Sequence, residues 1–276
     1  MSARRIGFAG LGVALALCGP AVARAQGGYA PELMQAWATE VDAFERGPLD
    51  IADPGSGTAS HGLPEYALGP ASGDSSDVFS LGDGGSITLF FATGIGDGPG
   101  DDFAVYENGF YSVEGLFAEF AFVEVSSNGV DFARFDAFSF HEAPVASFGA
   151  VDPGEYENFG GNQPLGSGTG FDLAELGDHP LVAAGLLDLN DVAYVRLVDV
   201  IGDGSAMDAD MQPVYDPYPT AFAVGGFDAE AVGVLHVAPE PGTTALLGVG
   251  AGALALLARI RRRDDGALAR HASPSS

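Results

Sequence analysis

The chain has 276 residues and no lysine; its 11 arginines stand against 38 acidic residues, for a formal net charge of −27. Repulsion on that scale excludes nucleic acid and anionic membrane surfaces as partners. Apolar residues make up 47% of the chain and phenylalanines number 19, which excludes an intrinsically disordered acidic chain.

Arg4 and Arg5 precede an apolar stretch, Ile6 to Leu17, and the small-x-small site Ala23-Arg24-Ala25. This order predicts a secretory signal peptide over 1–25, cut before Gln26. Cys18 reads as part of the apolar region, because Leu17 stands where a lipoprotein signal needs a small residue. The exported body then lacks cysteine, so no disulfide braces it. Five histidines without H-x-H or H-E-x-x-H spacing supply no zinc motif. Between Gln26 and Pro241, three arginines (Arg46, Arg134, Arg196) face 36 acidic residues, leaving the body near −33. Bound calcium or a saline habitat would offset that self-repulsion, and plain surface solubility accounts for many of the acids equally well.

Leu33, Trp37, Val41 and Phe44 recur at helical spacing, so Ala30 to Phe44 reads as a short helix, with an opening strand as the alternative. Strands are predicted over Ser86–Ala92, Phe103–Glu107, Ala118–Ser126, Val130–Phe135, Ala137–His141, Val192–Val200 and Ala229–Val237. Ser127-Asn128-Gly129 is a tight-turn signal, and Phe171 to Leu176 could make one helical turn. Gly149 to Gly170 reads as a long structureless linker. Short runs punctuated by glycine and proline point to an all-β sandwich of single-domain length.

Val123 to Phe132 (VEVSSNGVDF) resembles the hairpin of discoidin-like, galactose-binding-fold modules. Leu81–Phe90 resembles their opening strand, Ala193–Leu197 a central strand and Gly226–Leu235 the closing one. The resemblance spans about 67–237 in the right order; Ala193-Tyr194 and the acidic insert Gly202–Thr220 depart from it. It implies a jelly-roll-like antiparallel β-sandwich over 26–237, and a calcium loop at Asp74 and Asp77.

Two loops echo each other. Ile95-Gly96-Asp97-Gly98 runs into Asp101 and Asp102, and Ile201-Gly202-Asp203-Gly204 runs into Asp208 and Asp210. Each places three carboxylates beside flexible glycine, the hard oxygen donors that Ca2+ takes, although neither matches the EF-hand register. Aspartate also serves plain turns. For glycan, aromatic faces beside amides are the candidates: Tyr111, Tyr156 and Tyr218 with Asn108, while Phe110 and Phe159 read as structural. No G-x-S-x-G, P-loop or dinucleotide motif occurs, so the body reads as non-catalytic. A hydrolase using paired carboxylates is the alternative, since acids are plentiful.

The tail carries Pro239-Glu240-Pro241, then an uncharged apolar run, Gly242 to Ile260, interrupted only at Arg259, then Arg261, Arg262 and Arg263. The run is just long enough to span a hydrocarbon core of about 30 Å, with the arginines favouring a cytoplasmic tail at 266–276. This order over 238–265 resembles the PEP-CTERM sorting signal. It implies an exosortase-type processing enzyme, transient residence in the inner membrane through one transmembrane helix, and a mature form at the cell surface or in the matrix. A surface protein associated with exopolysaccharide or biofilm is the expectation, calcium-stabilised and glycan-binding, or else purely structural or adhesive.

Overall fold

The computed structural model describes residues 26–239. The predicted signal peptide with Ala23 and Ala25, and the sorting segment from Glu240 through Arg263, lie outside the described residues. Seven strands carry the body: β1 (Glu40–Glu45), β2 (Ser86–Ile95), β3 (Phe103–Glu107), β4 (Ala121–Ser126), β5 (Gly168–Phe171), β6 (Val192–Asp199) and β7 (Asp228–Val234). They form two antiparallel sheets. One runs Ala133–Arg134, β4, β6, β2, β1; the other runs Gly28–Tyr29, β5, β3, β7, Ala36–Trp37. The fold is therefore an all-β sandwich. Among the described residues, no helix is long and apolar enough to cross a membrane.

Register explains the core. Leu197 sits opposite Ile87 on one side and Val123 on the other, so three strands present apolar side chains in one row. Val105 and Val232 pair in the facing sheet, and both rows belong to one buried cluster. Phe103, Phe135 and Phe171 close that cluster, with ring centroids 5.1–5.9 Å apart. The outer face of β4 is covered too, because Phe120 and Phe122 pack on Tyr156, Phe159 and Val214. That second layer is why every residue of β4 is buried.

The turn after β4 forms as its residues predict. Ser126 Oγ accepts from the Asn128 and Gly129 amides, and Asn128 Oδ1 accepts from Val130 and Asp131. Gly129 supplies the left-handed φ of 73°.

One alternative is resolved towards strand, and one expectation is corrected. Residues 30–44 form no α-helix but a 3-10 turn, Pro31–Leu33, followed by strands Ala36–Trp37 and β1. Each open sheet edge needed a partner, Trp37 pairing Gly233 and Glu40–Glu45 pairing β2, and this outweighed helical spacing. The stretch Gly149–Gly170 is not structureless: it holds a 3-10 turn and short strands Tyr156–Glu157 and Phe159–Gly160, the latter pairing β4. Its aromatics anchor it, Tyr156 and Phe159 both being fully buried.

Candidate functional site

The two ends of β3 carry different chemistry. At its start, Asp102 is fully buried and receives hydrogen bonds from the Gly98 and Leu173 amides at 2.7 Å each. Its Oδ1 also meets His236 Nδ1 at 2.9 Å. Burial raises the Asp102 pKa, and these donors work against the rise. Asp97 and Asp172 each bring a carboxylate oxygen to Asp102, and the three oxygens lie within 4.8 Å of one another. Among the described residues this is the one such group of three acidic, histidine or cysteine ligands. All its donors are hard oxygens, which suits Ca2+.

Sequence spacing therefore located Asp97 and Asp102 but missed Asp172, which is brought in by β5. Asp172 caps the 3-10 turn Leu173–Leu176 through the Ala174 amide. Asp101 points elsewhere: its Oδ2 lies over Gly170, where an added Cβ would be 2.1 Å away. The echoing loop does not converge. Asp203 accepts from its own Ser205 amide, while Asp208 is buried and takes the Ser139, Asp210 and Gln212 amides. Asp210 is exposed. Asp203 and Asp208 thus serve as turn and capping residues, the use that aspartate's short side chain favours. Asp74 likewise caps the Ser76 amide and hydroxyl.

At the other end of β3 a cleft of about 370 Å³ opens. Two pairs of near-parallel phenylalanines line it. Phe110 stacks on Phe117 at 5.2 Å, and Phe148 on Phe222 at 5.7 Å. Phe110 and Phe117 are held by a two-residue ladder in which they pair directly. Phe148 is 75% exposed, an unusual position for so large an apolar ring.

Glu119, Asp228 and Asn108 line the cleft between these rings. Asn108 donates to Asp228 Oδ2 at 2.9 Å and to the Ser75 carbonyl at 3.0 Å, and Ser80 Oγ donates to Asp228 Oδ1. Burial pushes Asp228 up to about 6, while those donors and the charges of His61 and Arg46 hold it down. Glu119 is 5% exposed and its carboxylate makes no hydrogen bond among the described residues. Burial first, and then Asp228, Asp216, Asp199 and Glu107, raise its pKa well above the usual carboxylate range. Behind it, Glu107 Oε2 accepts from Gly109 at 2.6 Å, while its Oε1 is buried without a partner.

The predicted glycan residues divide. Asn108 lines the cleft, and Tyr111, 65% exposed, follows Phe110 on the same short ladder. Tyr156 is a correction: its ring is 1% exposed, packed 4.3 Å from Phe120, and its hydroxyl donates to the Tyr215 carbonyl. A ring so enclosed presents no face to a ligand. Tyr218 lies away from the cleft and donates to Asp50. Phe110 reverses the reading of the sequence, being exposed and cleft-lining, whereas Phe159 is buried. Glu119, Asp228, Phe117, Phe148 and Phe222 were missed. The one available signal was an acid inside or beside a predicted apolar strand, as Glu119 and Asp228 both are.

Comparison with protein-family models matches none of them, and comparison with curated proteins gives no match either.

Proposed function

We propose that the chain is an exported, non-catalytic bacterial surface or matrix protein whose β-sandwich binds glycan in the phenylalanine-lined cleft. The observation that carries this reading is the cleft's make-up: exposed aromatic faces on two sides, with the Asn108 amide and two carboxylates between them. Sugar rings lay their C–H faces on aromatics while amides and acids take the hydroxyls. The sandwich would be the jelly roll of the discoidin-like modules, and its two antiparallel sheets are compatible with that topology. Asp97, Asp102 and Asp172 would hold Ca2+ and tie the start of β3 to the end of β5. Destination rests on the PEP-CTERM resemblance. The body's chain leaves the sheets at Ala238, whose amide donates to Gly94, and Pro239 is exposed beyond it, where a processing enzyme could reach.

A second reading, a carbohydrate-active hydrolase, is favoured by one observation: Glu119 and Asp228 share a cleft and both have raised pKa values. Against it, Glu119 has no hydrogen bond to orient it, whereas a working acid is held in place by its supporting shell.

Fractionating cells that make exopolysaccharide tests both destination and binding. The native chain should be found with the extracellular polysaccharide. Alanines at Pro239, Glu240 and Pro241 should leave it in the inner membrane, and Phe148→Ala should leave it exported but washed free. Normal sorting of the first variant, or full retention of the second, sinks the corresponding half. Soluble sugar released by the native protein, and abolished by Glu119→Gln, would establish the hydrolase instead.

A further inference from the structure

We infer that the cleft takes a primary ammonium group carried on a sugar ring, an amino-sugar residue of a deacetylated polysaccharide, with Glu119 as its anion. This rests on the glycan reading above and narrows it to a charge class.

The argument starts from what Glu119 lacks. It is nineteen-twentieths buried, it lines the cleft, and no donor within the described residues reaches its carboxylate. A buried carboxylate is ordinarily held by donors or by a cation, because leaving water without replacement is costly. The local cations are already committed. Arg46 donates to the His61 and Gly62 carbonyls and lies 4.2 Å over the Phe79 ring. His61 Nε2 donates to the Ser76 carbonyl at 3.1 Å. The neighbouring acid is satisfied instead: Asp228 has Ser80 and Asn108. Glu119 is thus the one cleft acid whose acceptors are open, and Asp228 adds a second negative charge beside it.

A ligand that enters must bring N–H donors and positive charge together. An ammonium does so, and the aromatic walls favour it further, since cations are drawn to ring faces. The same walls and the Asn108 amide suit the ring that would carry it. The cleft's volume of about 370 Å³ admits a group of monosaccharide size. A lysine side chain shares the ammonium but has no hydroxyls for Asn108 and the Ser75–Ser76 rim.

The test is a calorimetric titration of the purified protein with a short glucosamine oligomer, its N-acetylated counterpart, a glucose oligomer and a lysine peptide. The expected result is tightest binding to the glucosamine oligomer, weakened about tenfold or more by Glu119→Gln. Because the whole body is anionic, that loss separates the cleft from general attraction. The comparison of free and acetylated amine on the native protein needs no variant, so poor folding of Glu119→Gln would not rescue the idea. Equal binding of both oligomers, abolished by Phe148→Ala, would overturn the ammonium inference and leave the glycan reading standing. Preference for the lysine peptide would overturn the sugar, and binding of nothing would overturn both.

Discussion

At the residue scale, the buried acids differ by whether they have donors, and that difference predicts opposite outcomes for similar substitutions. Asp102 answers two backbone amides and His236, so Asp102→Ala would strand buried donors. Each stranded donor costs about 1–3 kcal/mol, and the thermal midpoint should fall sharply. Glu119 answers none, so Glu119→Gln removes a buried carboxyl whose ionisation its surroundings oppose and should raise the midpoint, by about 2–4 °C for each kcal/mol gained, and more at pH 7.5 than at pH 5. Thermal unfolding of the two variants side by side checks this. A fall for Glu119→Gln would mean that the carboxylate holds structure in a way its surroundings do not reveal. The sequence carried Asp102 clearly, because glycines and neighbouring acids mark its loop. It did not carry Glu119, because strand alternation says nothing about whether a buried acid finds a donor.

At the element scale, the strands were legible where side chains alternate and obscure where tertiary pairing decides. Phe103–Glu107 was read with its true bounds, and β6 differs from its prediction by one residue, because apolar β-branched runs bounded by turns leave little choice. Residues 30–44 stayed open between helix and strand because short apolar runs look alike in both periods until a sheet edge claims them. The metal reading also belongs here, since no single loop holds the three acids: Asp172 arrives from the far end of β5. Calcium at a hundred times its Kd should add about 2.7 kcal/mol to stability, provided it binds only the folded chain. Measured at fixed ionic strength, the unfolding midpoint should rise with calcium, and not with equal magnesium. Asp172→Asn should remove the rise, while Asp210→Asn should keep it. No shift for the native protein would leave the three acids as surface and capping groups.

At the scale of the whole molecule, the three arginines of the body do not relieve its charge. Arg134 and Arg196 both pair with Glu124, and Arg46 serves backbone carbonyls. A line of buried acids runs through one end of the sandwich, where Asp228 raises the pKa of Glu107, Asp216 raises that of Asp199, and Asp228, Asp216, Asp199 and Glu107 together raise that of Glu119. Asp83 is likewise raised to about 6, chiefly by burial, as is Asp228. The folded chain therefore binds protons that the unfolded chain releases between the ordinary carboxylate range near 4 and about 6. Stability contributed by these groups is present at the acid end of that window and is lost as pH rises through it. Without added cations, the midpoint should be higher near pH 5 than near pH 7.5. A midpoint climbing steadily across that range would contradict the buried-acid account. Composition announced the excess charge, but only the fold shows that so much of it lies inside.

The most direct test of the central claim is to see where a glycan lands. With phenylalanine rings isotopically labelled, the NMR signals of Phe110, Phe117, Phe148 and Phe222 should shift together and saturate as oligosaccharide is added, while Phe103 and Phe171 in the core stay still. Saturable shifts confined to other rings, or binding with those four signals unmoved, would contradict the assignment of the cleft.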